Sequence, residues 1–133
     1  MFAMKREQRS KIGDPAFVDR TIEFVRRNAL KFVYRLDEDE LRRRVVHCIG
    51  RARAHGLTWE SSISTFVLHM ITIHPRFDDQ PYVASILADT SIPVEERVAA
   101  LLQMPDDAWE QAAKQGDADA YWAAVRAAEG AQS

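Results

Sequence analysis

Cysteine is almost absent from this chain: Cys48 stands alone among 133 residues, which excludes an intramolecular disulfide and argues against a Cys-based zinc site. Long apolar runs are missing too. The strongest, around Phe66, Val67 and Leu68, is cut by His69, so no segment is expected to span a bilayer. Five glycines and five prolines are too few for a collagen-like or low-complexity chain. Those glycines do not cluster, and no Gly-x-Ser-x-Gly elbow, P-loop or dinucleotide fingerprint is found. Strand-like alternation and an internal repeat are also lacking. The start, Met1 to Arg6, has basic residues but no apolar stretch behind them; no secretory signal is expected, and the expected location is the cytoplasm.

What is present reads as one ordinary globular domain, 47% apolar and 29% charged. Residues 1–13 form a polar lead-in. Asp14-Pro15 then supplies an N-cap and a proline at the first helical position. Val18, Ile22, Val25, Ala29 and Phe32 follow at helical spacing and predict a helix over 15–35. Asp37 and Glu40 are placed like a capping box that opens a second helix, with Leu41, Val45, Cys48, Ile49 and Ala52 inward and Gly56 suited to its left-handed end. Gly50 inside that helix costs about 1 kcal/mol against alanine, and a close helix contact would account for it. Thr58 is expected to cap a third helix over 59–73 that ends before Pro75. Shorter helices are expected over 82–88 and 93–103. Two more follow within 105–128, around Trp109 and around Tyr121 and Trp122, before a tail at 129–133. The expected fold is all-α, a single compact domain of five to seven helices spanning 14–128, with its core in 14–103.

Charge is unevenly placed although the formal net is only −2. Residues 1–56 hold fourteen Lys and Arg against eight Asp and Glu; residues 57–133 hold four against twelve. Such asymmetry marks either a docking surface or two halves that neutralise each other within the fold. The run Arg42 to Arg44 is a solvated face or part of a basic patch, formed by Arg44 and Arg51 with Arg27 and Arg35. Phe77, set in a polar loop, either plugs the core or awaits a partner.

Catalytic and nucleic-acid readings find little support in the residues. His47 and His55 are eight apart and His69 and His74 five apart, neither being the i, i+4 pair of a helical zinc site. Cys48 lies on an apolar stripe, as a core thiol does. Ala52, Gly56, Leu57 and Thr58 imitate a helix-turn-helix, but the would-be recognition helix, Trp59 to Ile73, has no Lys or Arg and carries Glu60. No catalytic residue, metal or cofactor is expected, nor a membrane or nucleic-acid partner.

Four segments, Leu41–Val46, Ile49–Thr58, Pro75–Asp78 and Ala84–Pro93 with the following Glu95–Val98, stand in an order that resembles small helical proteins encoded beside the toxic effectors and tip proteins of bacterial type VI secretion systems. The resemblance covers about residues 35–103. It implies an accessory role in secretion, as a co-chaperone or adaptor in effector loading, whose partner is the effector or its chaperone. It carries over no catalytic residue, only the Phe77-Asp78 pair as a structural or docking feature. The candidate interaction residues are accordingly Phe77, Asp78, Tyr82, Arg44, Arg51 and Trp109. A cytosolic immunity protein that occludes a toxin through the acidic carboxyl-terminal half, a small DNA-binding regulator and charge-driven self-assembly are the alternatives.

Overall fold

The computed structural model describes residues 14–132, and the lead-in at 1–13 lies outside them. Seven α-helices and no strand occur among the described residues, as expected for an all-α domain. The helices are α1 (Pro15–Val33), α2 (Glu38–Ala54), α3 (Glu60–Thr72), α4 (Pro81–Leu87), α5 (Arg97–Ala100), α6 (Asp106–Ala112) and α7 (Ala118–Gln132).

The first three pack on one another and α3 is central, touching α1, α2 and α5. Its Ile63, Phe66, Val67 and Met70 are wholly buried, so this helix has no free face for a DNA groove. The inward stripe of α2 is as its spacing indicates: Leu41, Val45, Cys48, Ile49 and Ala52 are all buried. At its end Gly56 takes φ +90°. Leu57 N–H then donates to the Ala52 carbonyl and Gly56 N–H to that of Arg53, which satisfies orphan carbonyls of the last turn.

Helix α1 departs from its expected pattern. Ala29 leaves helical dihedrals (φ −144°, ψ 32°) and kinks the chain. Beyond the kink Val33 meets the core in place of Phe32, which is 44% exposed. Helix periodicity counted across the break had placed Phe32 inside.

The helix ends are held by partners both near and far. Asp14 accepts from Ala16 N–H at 3.0 Å and Asp37 from Glu40 N–H at 2.8 Å, so both local caps form. The Glu40 side chain does not close the box and turns to arginines instead. Thr58 does not cap α3 with its own side chain; Trp59 is the N-cap residue. The residues before α3 are instead held from thirty-seven positions downstream: one Glu95 oxygen accepts from Thr58 N–H at 2.6 Å, Thr58 O–H at 2.7 Å and Trp59 N–H at 2.9 Å. Two residues on, Arg97 donates to the carbonyls of Ile92 at 3.0 Å and Leu87 at 3.2 Å, and so closes the end of α4. Segment 93–103 is not one helix but α5 between two 3₁₀ turns, Val94–Glu96 and Leu101–Gln103. Helix α7, expected to be short with a tail from 129, continues to Gln132 because its alanine-rich sequence favours helix throughout.

Gly50 faces solvent, and a Cβ built there meets nothing within 4 Å. No close helix contact requires it, contrary to the expectation from sequence. Gly50→Ala should therefore stabilise the domain by roughly 0.5–1 kcal/mol through lower backbone entropy of the unfolded chain. Urea unfolding checks this, and a loss of stability would show that the position has a contact the fold does not reveal.

Candidate functional site

Pro75 stops α3 and the next residues form a 3₁₀ turn, Phe77–Asp79. That turn points Phe77 inward, where its ring lies 5.1 Å from Phe66 and 5.6 Å from His69 and is fully buried. Asp78 is driven against α2. Arg51 and His55, one helical turn apart, both reach its Oδ2: Arg51 Nη2 at 2.6 Å and Nε at 3.2 Å, His55 Nε2 at 2.8 Å. Burial alone would push the Asp78 carboxyl up, but hydrogen bonds from His55 and Arg51 and the Arg51 charge outweigh it and hold it below the usual range. Its Oδ1 is buried with no hydrogen-bond partner. Phe77 is thus the plug, and Asp78 the latch that fixes it. Neither is open to a docking partner.

Arg44 belongs to a second knot. It donates to Glu40 at 2.8 Å, with its guanidinium 5.0 Å from the Trp122 ring. Arg43 at 2.6 Å and Arg126 at 3.1 Å hold the other Glu40 oxygen. Burial opposes ionisation here too, but the arginines prevail and lower the Glu40 pKa to about 2. Arg44 and Arg51 are therefore spent on carboxylates and do not join Arg27 and Arg35 in one basic surface. Of the other two candidates, Trp109 is half-buried with its ring 5.5 Å from His69, and Tyr82 is 43% exposed on α4. The six sequence candidates do not converge: Phe77, Asp78 and Arg51 meet, whereas Arg44, two turns before Arg51 on α2, is tied to Glu40, and Tyr82 lies on α4.

An open groove lies instead between α2 and α7, with a volume of about 460 Å³. Val46, Ala124, Val125 and Ala128 give it apolar walls. His47 and Tyr121 close its floor with a hydrogen bond of 2.6 Å, and the Arg43–Glu129 pair at 3.0 Å rims it. Val46 is 48% exposed, an uncompensated apolar side chain on the outer side of an arginine-rich helix. Its neighbour Val45 belongs to the inward stripe and is fully buried. A valine two positions beyond the arginine run, with no place in the inward stripe, was the signal available. The groove can take a large apolar side chain flanked by polar groups.

Other groups are arranged for packing. Cys48 is fully buried, which pushes its thiol pKa up and away from reactivity. Among the described residues no cluster of three or more His, Cys, Asp and Glu is placed to hold a metal ion. No described helix is long and apolar enough to cross a membrane.

His69, between the Phe77 and Trp109 rings, has its pKa lowered to about 4 by burial; burial and the Arg51 charge also lower that of His47. Between about pH 4 and the unfolded value of 6.5 the unfolded chain binds protons that folded His69 refuses, so stability rises with pH across that window. Denaturant unfolding between pH 5 and 6.5 should show a slope of about 1 kcal/mol per pH unit. His69→Leu should flatten most of it, and an equally steep variant would assign the protons elsewhere.

Comparison with protein-family models, with curated proteins and with solved structures finds no match to this chain.

Proposed function

We propose that this domain is a non-catalytic, protein-binding accessory factor of a type VI secretion system, an adaptor or co-chaperone that holds an effector before export. The observation that carries the proposal is the α2–α7 groove, with its apolar walls, charged rim and exposed Val46. A groove of this make suits a helical segment that inserts a large apolar residue. Two further features support it. Two of the segments that resemble the secretion-associated proteins bear on α2, the groove's first wall: Arg43 and Val46 of Leu41–Val46 line the groove, and Pro75–Asp78 carries the latch that ties the turn to α2. The buried Asp78 and Glu40 carboxylates and the buried Cys48 thiol serve the fold and leave binding as the task open to the surface.

One observation favours a second role, immunity to a basic toxin. Asp106, Asp107, Glu110, Asp117 and Asp119 are exposed at α6 and the start of α7, and none forms an ion pair among the described residues. An acidic face of this kind complements the cationic cleft of a nuclease.

Co-expression with a type VI secretion effector that it serves should give a complex of fixed stoichiometry by chromatography and light scattering, which Val46→Asp dissolves without unfolding the domain. No complex, or one indifferent to Val46→Asp, contradicts the adaptor role. Rescue of growth from the effector's toxicity that depends on the acidic face instead would establish immunity.

A further inference from the structure

We infer that the carboxyl-terminal end of α1 is a docking surface for an acidic, amphipathic segment of a partner protein. The inference rests on the premise that the domain binds protein, but it concerns a different surface from the α2–α7 groove. The kink at Ala29 creates that surface. Of the six large apolar side chains exposed on the described residues, three lie within five positions: Leu30 at 59%, Phe32 at 44% and Tyr34 at 60%. An isolated exposed leucine is ordinary, whereas three large side chains together at a helix end form a patch.

Cations are interleaved with them. Arg27, Lys31 and Arg35 recur at four-residue spacing, all exposed, and none has a carboxylate of the described residues within ion-pair distance. Neighbouring Arg26, by contrast, is paired with Glu38 and Glu23. Lys31 Nζ lies 5.2 Å from the Phe32 ring, and the Arg35 guanidinium lies 5.4 Å from that of Tyr34, with Nε donating to its hydroxyl at 2.9 Å. These contacts pre-arrange cations over aromatic faces while their remaining N–H donors point to water. A shallow cavity of about 180 Å³ opens among Lys31, Phe32, Tyr34 and Arg35, enough for an aliphatic side chain.

Cations near a helix end also complement its dipole, which accounts for Lys31 and Arg35 alone. It does not account for three large apolar side chains turned outward beside them. The complementary ligand has carboxylates spaced to meet the cations and apolar side chains to cover the patch, and the mixture of arginine and aromatics is that of protein-binding hot spots. An extended polyanion fits less well. Asp37, Glu38 and Asp39 follow immediately and are exposed, so a lipid surface or a phosphate backbone would meet them as well as the cations. Residues 1–13 of the chain carry Lys5, Arg6, Arg9 and Lys11 against Glu7, a charge that matches the patch instead of complementing it.

Selection from a random peptide library displayed on phage, against the full chain, tests the inference. The selected peptides should interleave Asp or Glu with large apolar residues. They should bind Phe32→Ser/Lys31→Glu about tenfold more weakly or worse, yet bind Val46→Asp as well as the parent. All three positions are exposed, so melting curves should match the parent; Tyr34→Ser/Arg35→Glu provides the same readout if the first pair fails to fold. No enrichment, enrichment of non-acidic peptides, or undiminished binding to both double variants overturns the inference. So does binding to phosphatidylglycerol-containing vesicles or to single-stranded oligonucleotide that the double variants abolish. A concentration-dependent mass in light scattering that the same variants abolish would give the patch to a second copy and also overturn it. An effector complex that survives Phe32→Ser/Lys31→Glu but not Val46→Asp leaves the adaptor role standing while this surface falls, and the reverse pattern separates them the other way.

Discussion

The contact on which the arrangement depends is the grip of Arg51 and His55 on the buried Asp78 carboxylate. It fastens the turn after α3 to α2, and in doing so seats Phe77 among Phe66 and His69. Without it the turn would lose its tie to α2 and would be held only by the packing of Phe77 and by the bonds of His74 to Gly116 and of Gln80 to Gln111. A carboxylate this buried is tolerable only because two donors from one helix face meet it. The same device recurs twice. Arg20 holds the buried Glu60 at the start of α3, with Nη2 at 2.9 Å and 3.0 Å from its two oxygens. Arg43, Arg44 and Arg126 hold Glu40.

These pairs bear on the lopsided distribution of charge. Arg20 with Glu60, Arg51 with Asp78 and Arg43 with Glu129 each join the basic first half to the acidic second half. Arg126 with Glu40 joins them with the signs exchanged. Part of the asymmetry is internal wiring between segments distant in sequence. Outside, among the described residues, cations without an ion pair gather at the end of α1 and carboxylates without one around α6. Together with the α2–α7 groove, these are the surfaces on which a binding role rests.

Much of the fold was legible in the residues. Helix period, local caps and the proline at 75 place the first three helices, and the inward stripe of α2 is correct at every position named. What sequence could not show are features set by partners remote along the chain. Thr58 looks like the cap of α3 until Glu95 arrives from another element. Phe32 looks inward until the backbone breaks at Ala29, where alanine itself gives no warning. The candidate site was less legible. Arg44, Arg51 and Asp78 stood out because they are charged, but charge that finds a partner in the interior is no longer available outside. Val46, Tyr121 and Val125 form the groove through contact between helices some seventy-five residues apart, for which no local pattern exists.

Asp78 is an ionised latch, locked by α2 and not a contact offered to a partner. Carbon-13 NMR of its carboxyl group during an acid titration tests this directly. The predicted result is a midpoint below the ordinary aspartate value of 3.8, with the Phe77 ring resonances unchanged until the carboxyl protonates. A midpoint at or above 3.8 would mean that Arg51 and His55 do not hold the carboxylate, and the latch would have to be given up.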